Sequence, residues 1–267
     1  MKLEFYLRKL KKMIDSHCHL DMEPISDNLN EVIDRSKKEG VEKFLTICTT
    51  DKGYKNILEL VNFSPVIFGT YGIHPHEADK YIVSKEHIIK QTNINPKIIG
   101  IGETGLDFYY NNSDKKNQID SFHKHIEAAL DLKLPVIVHS RNAEKETFEI
   151  INSYKSSNLK ILMHCFTGSL SLALDLLQLN TYFSASGIIT FNNSKELQET
   201  FKEIPINKIL VETDSPFLAP VPMRGKKNEP SYLKYTLKKL AELKKIEIEN
   251  ADKITTENFN NLFLNEN

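Results

Sequence analysis

Cysteine is scarce in this chain of 267 residues, which has three, and no two of them form a CxxC pair. This scarcity argues against a disulfide framework and against a structural zinc knuckle. Cys18 lies between His17 and His19, and Cys165 follows His164. Because side chains alternate along a strand, we expect these cysteines to pack among apolar groups while the histidines face the other way. Free thiols are typical of a reducing compartment and favour a cytoplasmic location.

Long apolar runs are also missing. No run approaches the roughly 20 residues that a membrane span requires, so we expect no contact with a membrane. Residues 1–12 are basic, but no apolar segment follows them, which argues against a signal peptide. We interpret residues 1–12 as an N-terminal extension and residues 13–267 as a single domain, because no linker or repeat interrupts the rest.

Positive and negative charges are nearly balanced in this chain. The 35 basic and 36 acidic residues give a net charge of −1. The chain therefore has no global positive field of the kind that marks many nucleic-acid binders. A DNA substrate remains compatible with this balance, since a local cationic rim and bound metal ions are enough to attract a phosphodiester. We expect no obligate protein partner.

Short apolar runs rich in Ile and Val alternate with segments of helical spacing. Such runs are typical of strands buried on both faces of a parallel sheet. Eight strands are predicted, at 13–17, 43–49, 66–73, 97–102, 135–139, 160–164, 181–184 and 208–212. Apolar residues between them share one helical face, as Ile119, Phe122 and Ile126 do. Eight alternations predict an α/β fold of the (β/α)8 TIM-barrel class, with a doubly wound open sheet as the alternative.

Side chains of the kinds that bind metals follow five of these runs. They can meet in space only if the strands are parallel and their C-terminal ends lie together, as in a parallel barrel. Four imidazoles and two carboxylates suit a pair of divalent metals better than one. These six candidate ligands are His17, His19, Glu103, His139, His164 and Asp214.

The chain has two HxH pairs, and the predicted secondary structure gives them different interpretations. On a strand, residues i and i+2 share a face, so His17 and His19 can bind the same metal. In a helix the same spacing turns the two rings apart, and we therefore interpret His123 and His125 as surface residues. Asp21 is a candidate for orienting an imidazole, with a turn or helix cap as the equal alternative.

Five motifs stand at or beyond the predicted strand ends. They are IDSHCHLD at 14–21, GIHPH at 72–76, IGETGLDFY at 101–109, HCFTG at 164–168 and VETDSPFLAP at 211–220. Together they resemble the TatD family of metal-dependent deoxyribonucleases, from about residue 13 to the C-terminus. The resemblance implies an amidohydrolase-like barrel. Thr104 departs from the family pattern, which usually has an apolar residue there, and we expect only local repacking around it.

The resemblance also implies how the metals are held. His17, His19 and Asp214 would hold one divalent ion, His139 and His164 a second, and Glu103 would bridge the two. The ions would be zinc, magnesium, manganese or nickel. Two such ions can share a hydroxide that attacks phosphorus. Asp214, Glu103 and His74 are the predicted catalytic residues, with Asp214 as a proton acceptor and His74 assigned to phosphate contact or proton transfer.

Cationic and aromatic side chains near the strand ends are candidates for substrate contact. Arg141 lies two residues beyond a predicted ligand, on the same face, where it would bind a phosphate oxygen or form a salt bridge on the rim. Arg224 and Lys226 would give the loop after the last strand a cationic edge, or simply be solvated. Tyr109 and Tyr110 would stack on a base or pack their own loop.

These inferences predict a divalent-metal-dependent deoxyribonuclease that acts on phosphodiester bonds at DNA ends, preferably on single strands. The alternative is a small-molecule hydrolase of an amide, lactone or phosphoester on the same barrel, which the neutral charge and modest basic rim favour. A third hypothesis, a metal-bound scaffold without turnover, is disfavoured by the complete set of ligands.

Overall fold

The computed structural model describes residues 13–264, so the predicted extension at 1–12 lies outside the described residues. Within this range eight strands alternate with nine α-helices. The strands are β1 (Met13–Cys18), β2 (Val41–Thr46), β3 (Ile67–Tyr71), β4 (Ile98–Asp107), β5 (Val136–Arg141), β6 (Ile161–Met163), β7 (Thr181–Ala185) and β8 (Ile209–Val211). Their order in the sheet follows the chain, from β1 to β8. This alternation and order confirm the predicted (β/α)8 class.

Each helix buries one apolar stripe. The helices are α1 (Leu29–Lys38), α2 (Tyr54–Phe63), α3 (Lys85–Thr92), α4 (Lys115–Leu132), α5 (Glu144–Ser153), α6 (Leu170–Leu177), α7 (Lys195–Glu203), α8 (Leu233–Lys244) and α9 (Ile248–Phe259). In α4, Phe122, Ile126 and Ala129 are fully buried, as their helical spacing predicts. Within residues 13–264, no helix has the length and apolar character needed to cross a membrane.

The described chain separates into two compact units, residues 13–46 with 183–264, and residues 47–182. In the first unit β1 pairs with β2, and β7 pairs with β8, both in parallel. The terminal helix α9 packs against β1 and β8, and α8 buries Leu233, Leu237 and Leu240 completely. The prediction that residues 13–267 form a single domain stays a prediction.

The second unit contains the parallel neighbours β3, β4, β5 and β6. Val136, Ile137 and Val138 of β5 have no exposed surface, because in a parallel sheet both faces of a strand are covered. The helix α4 packs against β4. Parallel pairing brings the C-terminal ends of these four strands to the same edge, where their polar residues begin.

The predicted end of β4 at residue 102 is wrong, because the strand continues to Asp107. Ile101 pairs with Val136 and Thr104 with Val138, so β4 has one more residue than β5 over this stretch. Such an extra residue is a β-bulge, which bends the strand and re-aims its side chains. The polar run from Glu103 to Gly105 is typical of a loop by composition, yet all ten residues of β4 are buried.

The predicted surface position of His125 is also wrong. Its side chain is fully buried. The ring Nε2 accepts a hydrogen bond from Ile73 N at 3.1 Å, and Nδ1 donates to Ser121 O at 2.7 Å. His123 is only half-buried, so the two rings do diverge, but one of them turns into the protein.

Candidate metal centre

Three predicted ligands meet at the strand ends of the first unit. His17 lies in β1, His19 directly beyond it, and Asp214 three residues beyond β8. Asp214 Oδ1 is 3.6 Å from His17 Nε2 and 3.5 Å from His19 Nε2. Backbone hydrogen bonds fix this arrangement, since Asp214 N donates to His17 O at 2.9 Å and His19 N donates to Ser215 O at 2.8 Å. The loop after β8 is therefore fastened to the end of β1.

The separations in this triad fit a divalent ion. Donor atoms bound about 2.0–2.2 Å from a tetrahedral ion lie roughly 3.3–3.6 Å from each other. The measured separations of 3.6 and 3.5 Å agree with that range, and they exceed the usual length of an N–H···O hydrogen bond. Two imidazoles and a carboxylate are also a common donor set for zinc.

A buried aspartate, Asp15, supports this triad from within the first unit. Asp15 accepts hydrogen bonds from Thr213 N at 2.9 Å and from Thr213 Oγ1 at 2.6 Å. Burial raises the pKa of Asp15 to about 8, although the hydrogen bonds from Thr213 oppose this rise. Because Thr213 directly precedes Asp214, Asp15 holds the ligand's backbone in place. Burial also raises the pKa of Asp21, the candidate for orienting an imidazole, while His19 acts in the opposite direction.

A second cluster surrounds Glu103 in the second unit. Glu103 Oε1 lies 2.8 Å from His164 Nε2, 3.0 Å from His139 Nδ1 and 3.4 Å from His74 Nε2. The carboxylate is almost completely buried. Burial alone would raise the pKa of Glu103, but His164 and His74 outweigh it and hold that pKa well below its usual range. Glu103 is therefore an ionised acceptor surrounded by imidazoles.

His139 and His164 have the separations expected of ligands to one ion. Their nearest ring nitrogens, His139 Nδ1 and His164 Nε2, are 3.4 Å apart, and both lie within 3.0 Å of the Glu103 carboxylate. These two imidazoles and one carboxylate are also a donor set for a divalent ion, although the carboxylate lies at hydrogen-bond distance from both rings, closer than in the first triad. The bridging of two ions by Glu103 stays a prediction.

His74 differs from the other two histidines around Glu103. Its Nδ1 accepts a hydrogen bond from His76 N at 3.1 Å. Burial lowers the pKa of His74, although Glu103 raises it in part. A neutral imidazole that accepts at Nδ1 carries its proton at Nε2, so His74 presents an N–H donor toward Glu103. A hydrogen-bonding role suits this geometry better than metal ligation.

Asp107 is a site residue to which sequence reasoning gave no role. Asp107 Oδ2 lies 3.1 Å from His139 Nε2 and 2.9 Å from His76 Nε2. A metal-binding histidine commonly donates its second ring N–H to a carboxylate, which fixes the ring and its tautomer. Burial opposes ionisation here, yet the hydrogen bond from His139 and the others that Asp107 accepts together keep the pKa of Asp107 low. The signal was its place in the 101–109 motif, four residues beyond Glu103.

Arg141 lies at the end of β5, but it does not form the salt bridge weighed as an alternative. Among residues 13–264, no carboxylate lies within ion-pair distance of its guanidinium. The guanidinium carbon instead stands 4.2 Å from the ring centre of Tyr109 and 4.6 Å from that of Tyr110. Both tyrosines are about half exposed. Packing within their own loop alone therefore does not explain the positions of Tyr109 and Tyr110.

The two other predicted substrate contacts lie in the first unit. Arg224 and Lys226 are exposed. The Arg224 guanidinium carbon stands 4.1 Å from the ring centre of Phe191, which limits the freedom of that side chain. A fixed cation of this kind suits contact with a phosphate better than a freely solvated one does, whereas Lys226 has the geometry of a solvated loop residue.

Comparison with known proteins identifies the family. The family model of TatD-related DNases matches residues 14–264. This chain belongs to that family. A metal-dependent hydrolase of Buchnera aphidicola subsp. Acyrthosiphon pisum (strain APS) is 43% identical over 260 residues, covering 94% of this chain and 98% of the relative. YabD of Bacillus subtilis (strain 168), also named a metal-dependent hydrolase, is 38% identical over 251 residues, with coverage of 94% and 98%. The predicted family is thus confirmed.

Solved structures support the fold. YjjV, a TatD homologue from Escherichia coli K12, has a TM-score of 0.87 at 24% identity and covers 95% of this chain and 98% of its own. A TatD family hydrolase from Entamoeba histolytica has a TM-score of 0.85 at 19% identity, with the same coverage. At these identities the likeness shows the fold alone.

Proposed function

We propose that this TatD-family protein is a divalent-metal-dependent deoxyribonuclease that hydrolyses phosphodiester bonds from DNA ends. The observation that carries the proposal is a pair of donor clusters, each combining two imidazoles with one carboxylate. The clusters are His17, His19 and Asp214, and His139, His164 and Glu103. The description of the matching family as TatD-related DNases supports DNA as the substrate.

We propose that each cluster binds one divalent ion. Such ions supply positive charge that stabilises a phosphate under attack, and they make water a stronger nucleophile near neutral pH. Glu103 is the proposed carboxylate ligand in the second cluster, because one of its oxygens already lies among three imidazoles. A second negative charge at Asp214 would balance the ion in the first cluster.

Side chains of the protein are assigned to proton transfer and to phosphate contact. The Asp214 side chain is 14% exposed and that of Glu103 only 4%, so Asp214 is the carboxylate better placed to take a proton from water. His74, with its Nδ1 already accepting from His76 N, has a single N–H, on Nε2, which now faces Glu103 at 3.4 Å and would donate to a phosphate oxygen instead when substrate binds. We therefore assign His74 to phosphate contact rather than to proton abstraction.

The deciding experiment tests purified protein on end-labelled single- and double-stranded DNA and on RNA, one metal at a time, after chelation. We expect metal-dependent release of nucleotides from DNA, and strong loss with Asp214→Asn and with Glu103→Gln while circular dichroism is unchanged. Closed circular single strands provide the control for mode of action, because an enzyme that needs ends leaves them intact. Full activity in chelator, or in Asp214→Asn, would overturn the proposal.

A small-molecule hydrolase predicts a different result in the same assay. Such an enzyme would hydrolyse simple esters or lactones while single-stranded oligonucleotides neither react nor compete. Competition by oligonucleotides for hydrolysis of a simple phosphodiester would place both substrates at one site. The competition arm therefore separates the two hypotheses without requiring the natural substrate.

A further inference from the structure

Two exposed tyrosines and an arginine form a compact surface group in the second unit. Tyr109 is 54% exposed and Tyr110 is 52% exposed. Their rings are nearly perpendicular, at 89°, with centroids 4.8 Å apart. Arg141 lies against both rings, with its guanidinium carbon 4.2 and 4.6 Å from the two centroids. Large aromatic rings usually bury most of their area, so this pair calls for an explanation other than core packing.

The group is fixed rather than loose. Tyr109 N and Tyr110 N each donate to Asp107 Oδ1 at 3.0 Å, and Asp107 is almost fully buried. The Tyr110 ring meets the His76 ring edge to face, with centroids 5.4 Å apart. The backbone of both tyrosines is therefore held in place, while large parts of the two rings remain open to solvent.

This group lies beside the proposed catalytic cluster. Asp107, which fixes the tyrosine backbone, also accepts from His139 at 3.1 Å. Arg141 follows His139 by two residues of the same strand, a rise of about 6.6 Å. A cavity of about 540 Å³ extends from Arg141 to His164, a size that accommodates a nucleotide. A nucleotide in that cavity would contact Arg141, which in turn lies against both tyrosine rings.

We infer that Tyr109, Tyr110 and Arg141 form a stacking platform for an unpaired nucleobase at the end of the strand being cleaved. Every base has a flat face, so an aromatic platform binds without sequence preference. The guanidinium carbon lies within 4.6 Å of both ring centres, and the group's N–H donors can bind a phosphate. A base inside a duplex has both faces covered by its neighbours, whereas an unpaired terminal base can leave the stack, so the platform favours single-stranded ends. This inference rests on the proposed nuclease function.

The kinetic test compares linear single strands that carry either a base or an abasic tetrahydrofuran analogue at both ends. Wild type should prefer the base-bearing strand in kcat/KM by about 10- to 100-fold, the range typical of one stacked base. The preference should fall to near 1 in the Tyr109→Leu/Tyr110→Leu variant and return in Tyr109→Phe/Tyr110→Phe. Phe63→Leu, which removes an exposed ring at the end of α2, is the matched control and should retain the wild-type ratio. An unchanged ratio in the double leucine variant would overturn the platform.

A binding test separates the platform from the nuclease proposal. The chain has ten tyrosines and no tryptophan, so its tyrosine emission can be read directly. Hydrolysis-resistant phosphorothioate strands should quench part of this emission in the metal-loaded protein, and the double leucine variant should lose that part. Quenching without turnover of any DNA would keep the platform and reject the nuclease. Turnover of DNA with neither quenching nor base preference would keep the nuclease proposal and reject the platform.

Discussion

Asp107 Oδ2 lies 3.1 Å from His139 Nε2 and 2.9 Å from His76 Nε2, so one buried carboxylate orients two imidazoles. The other ring nitrogen of His139, Nδ1, faces Glu103 at 3.0 Å. Burial disfavours charge on His139, yet the two carboxylates raise its pKa overall. Asp107 therefore directs the metal-facing edge of His139 toward Glu103, and its second oxygen fixes the tyrosine backbone.

Replacing Asp107 by Asn should weaken metal binding at the Glu103 cluster by about 10- to 100-fold, with a matching loss of activity. The amide can keep Oδ1 for the tyrosine N–H groups, but its NH₂ would then face His139 and His76 with a donor where they need an acceptor. Metal titration by calorimetry measures the effect. Asp175→Asn, at an exposed position on α6, is the control. Wild-type affinity in Asp107→Asn would show that this carboxylate does not orient His139.

Sequence reasoning located the strands but not Asp107, for a physical reason. Apolar runs identify strands because buried parallel strands must be apolar. The second half of β4 is polar and glycine-rich, yet beyond the bulge between Ile101 and Thr104 it stays paired with β5. Hydrophobic periodicity carries no signal for a bulge, so the strand seemed to end at 102 and Asp107 seemed to lie in a loop.

His125 was missed for a different reason. Spacing along a helix shows that two rings diverge, but not which of them turns inward. His125 lies three residues after Phe122 and one before Ile126, both of which are fully buried, so the apolar stripe itself held the information. The candidate ligands were easier to find, because each stands at the end of a recognisable apolar run and parallel pairing brings such ends together.

Gly105→Ala should destabilise the protein by at least about 2 kcal/mol and disturb His139. Gly105 has φ of 130°, and a Cβ there would overlap the carbonyl oxygen of His139. Urea unfolding measures the loss. Gly225→Ala is the matched control, since Gly225 also has positive φ, 84°, but nothing lies within 4 Å of its added Cβ. Equal losses in both variants would mean that backbone conformation, and not overlap with His139, sets the cost.

Metal binding should raise thermal stability and reveal the number of ions. A ligand at 100 times its Kd stabilises the native state by about 2.7 kcal/mol for each site. We expect two ions per wild-type chain by elemental analysis. Asp214→Asn should retain one ion and a smaller shift in Tm on metal addition, because only the first cluster loses its carboxylate. One ion in both proteins, with equal shifts, would contradict a second site at His17, His19 and Asp214.

Lowering the pH should reduce the free energy of unfolding through protonation of His125. Burial lowers its pKa to about 4 in the folded protein, whereas an unfolded histidine titrates near 6.5. Between these values the unfolded state binds more protons, so the free energy of unfolding is undiminished above about pH 6.5 and falls as the pH drops toward 4. The difference corresponds to at most about 3 kcal/mol. Protonation would also place a donor at Nε2, opposite the Ile73 N–H that now donates to it.

Urea unfolding at several pH values between 4 and 7 measures this dependence. His125→Gln should flatten the slope, because the amide oxygen can still accept from Ile73 N and does not titrate in this range. His123→Gln, on the same helix but half-buried, should keep the wild-type slope. If His125→Gln loses stability with acid as steeply as wild type, then the acid sensitivity arises from other groups, because His125 is the only titrating side chain that this variant removes.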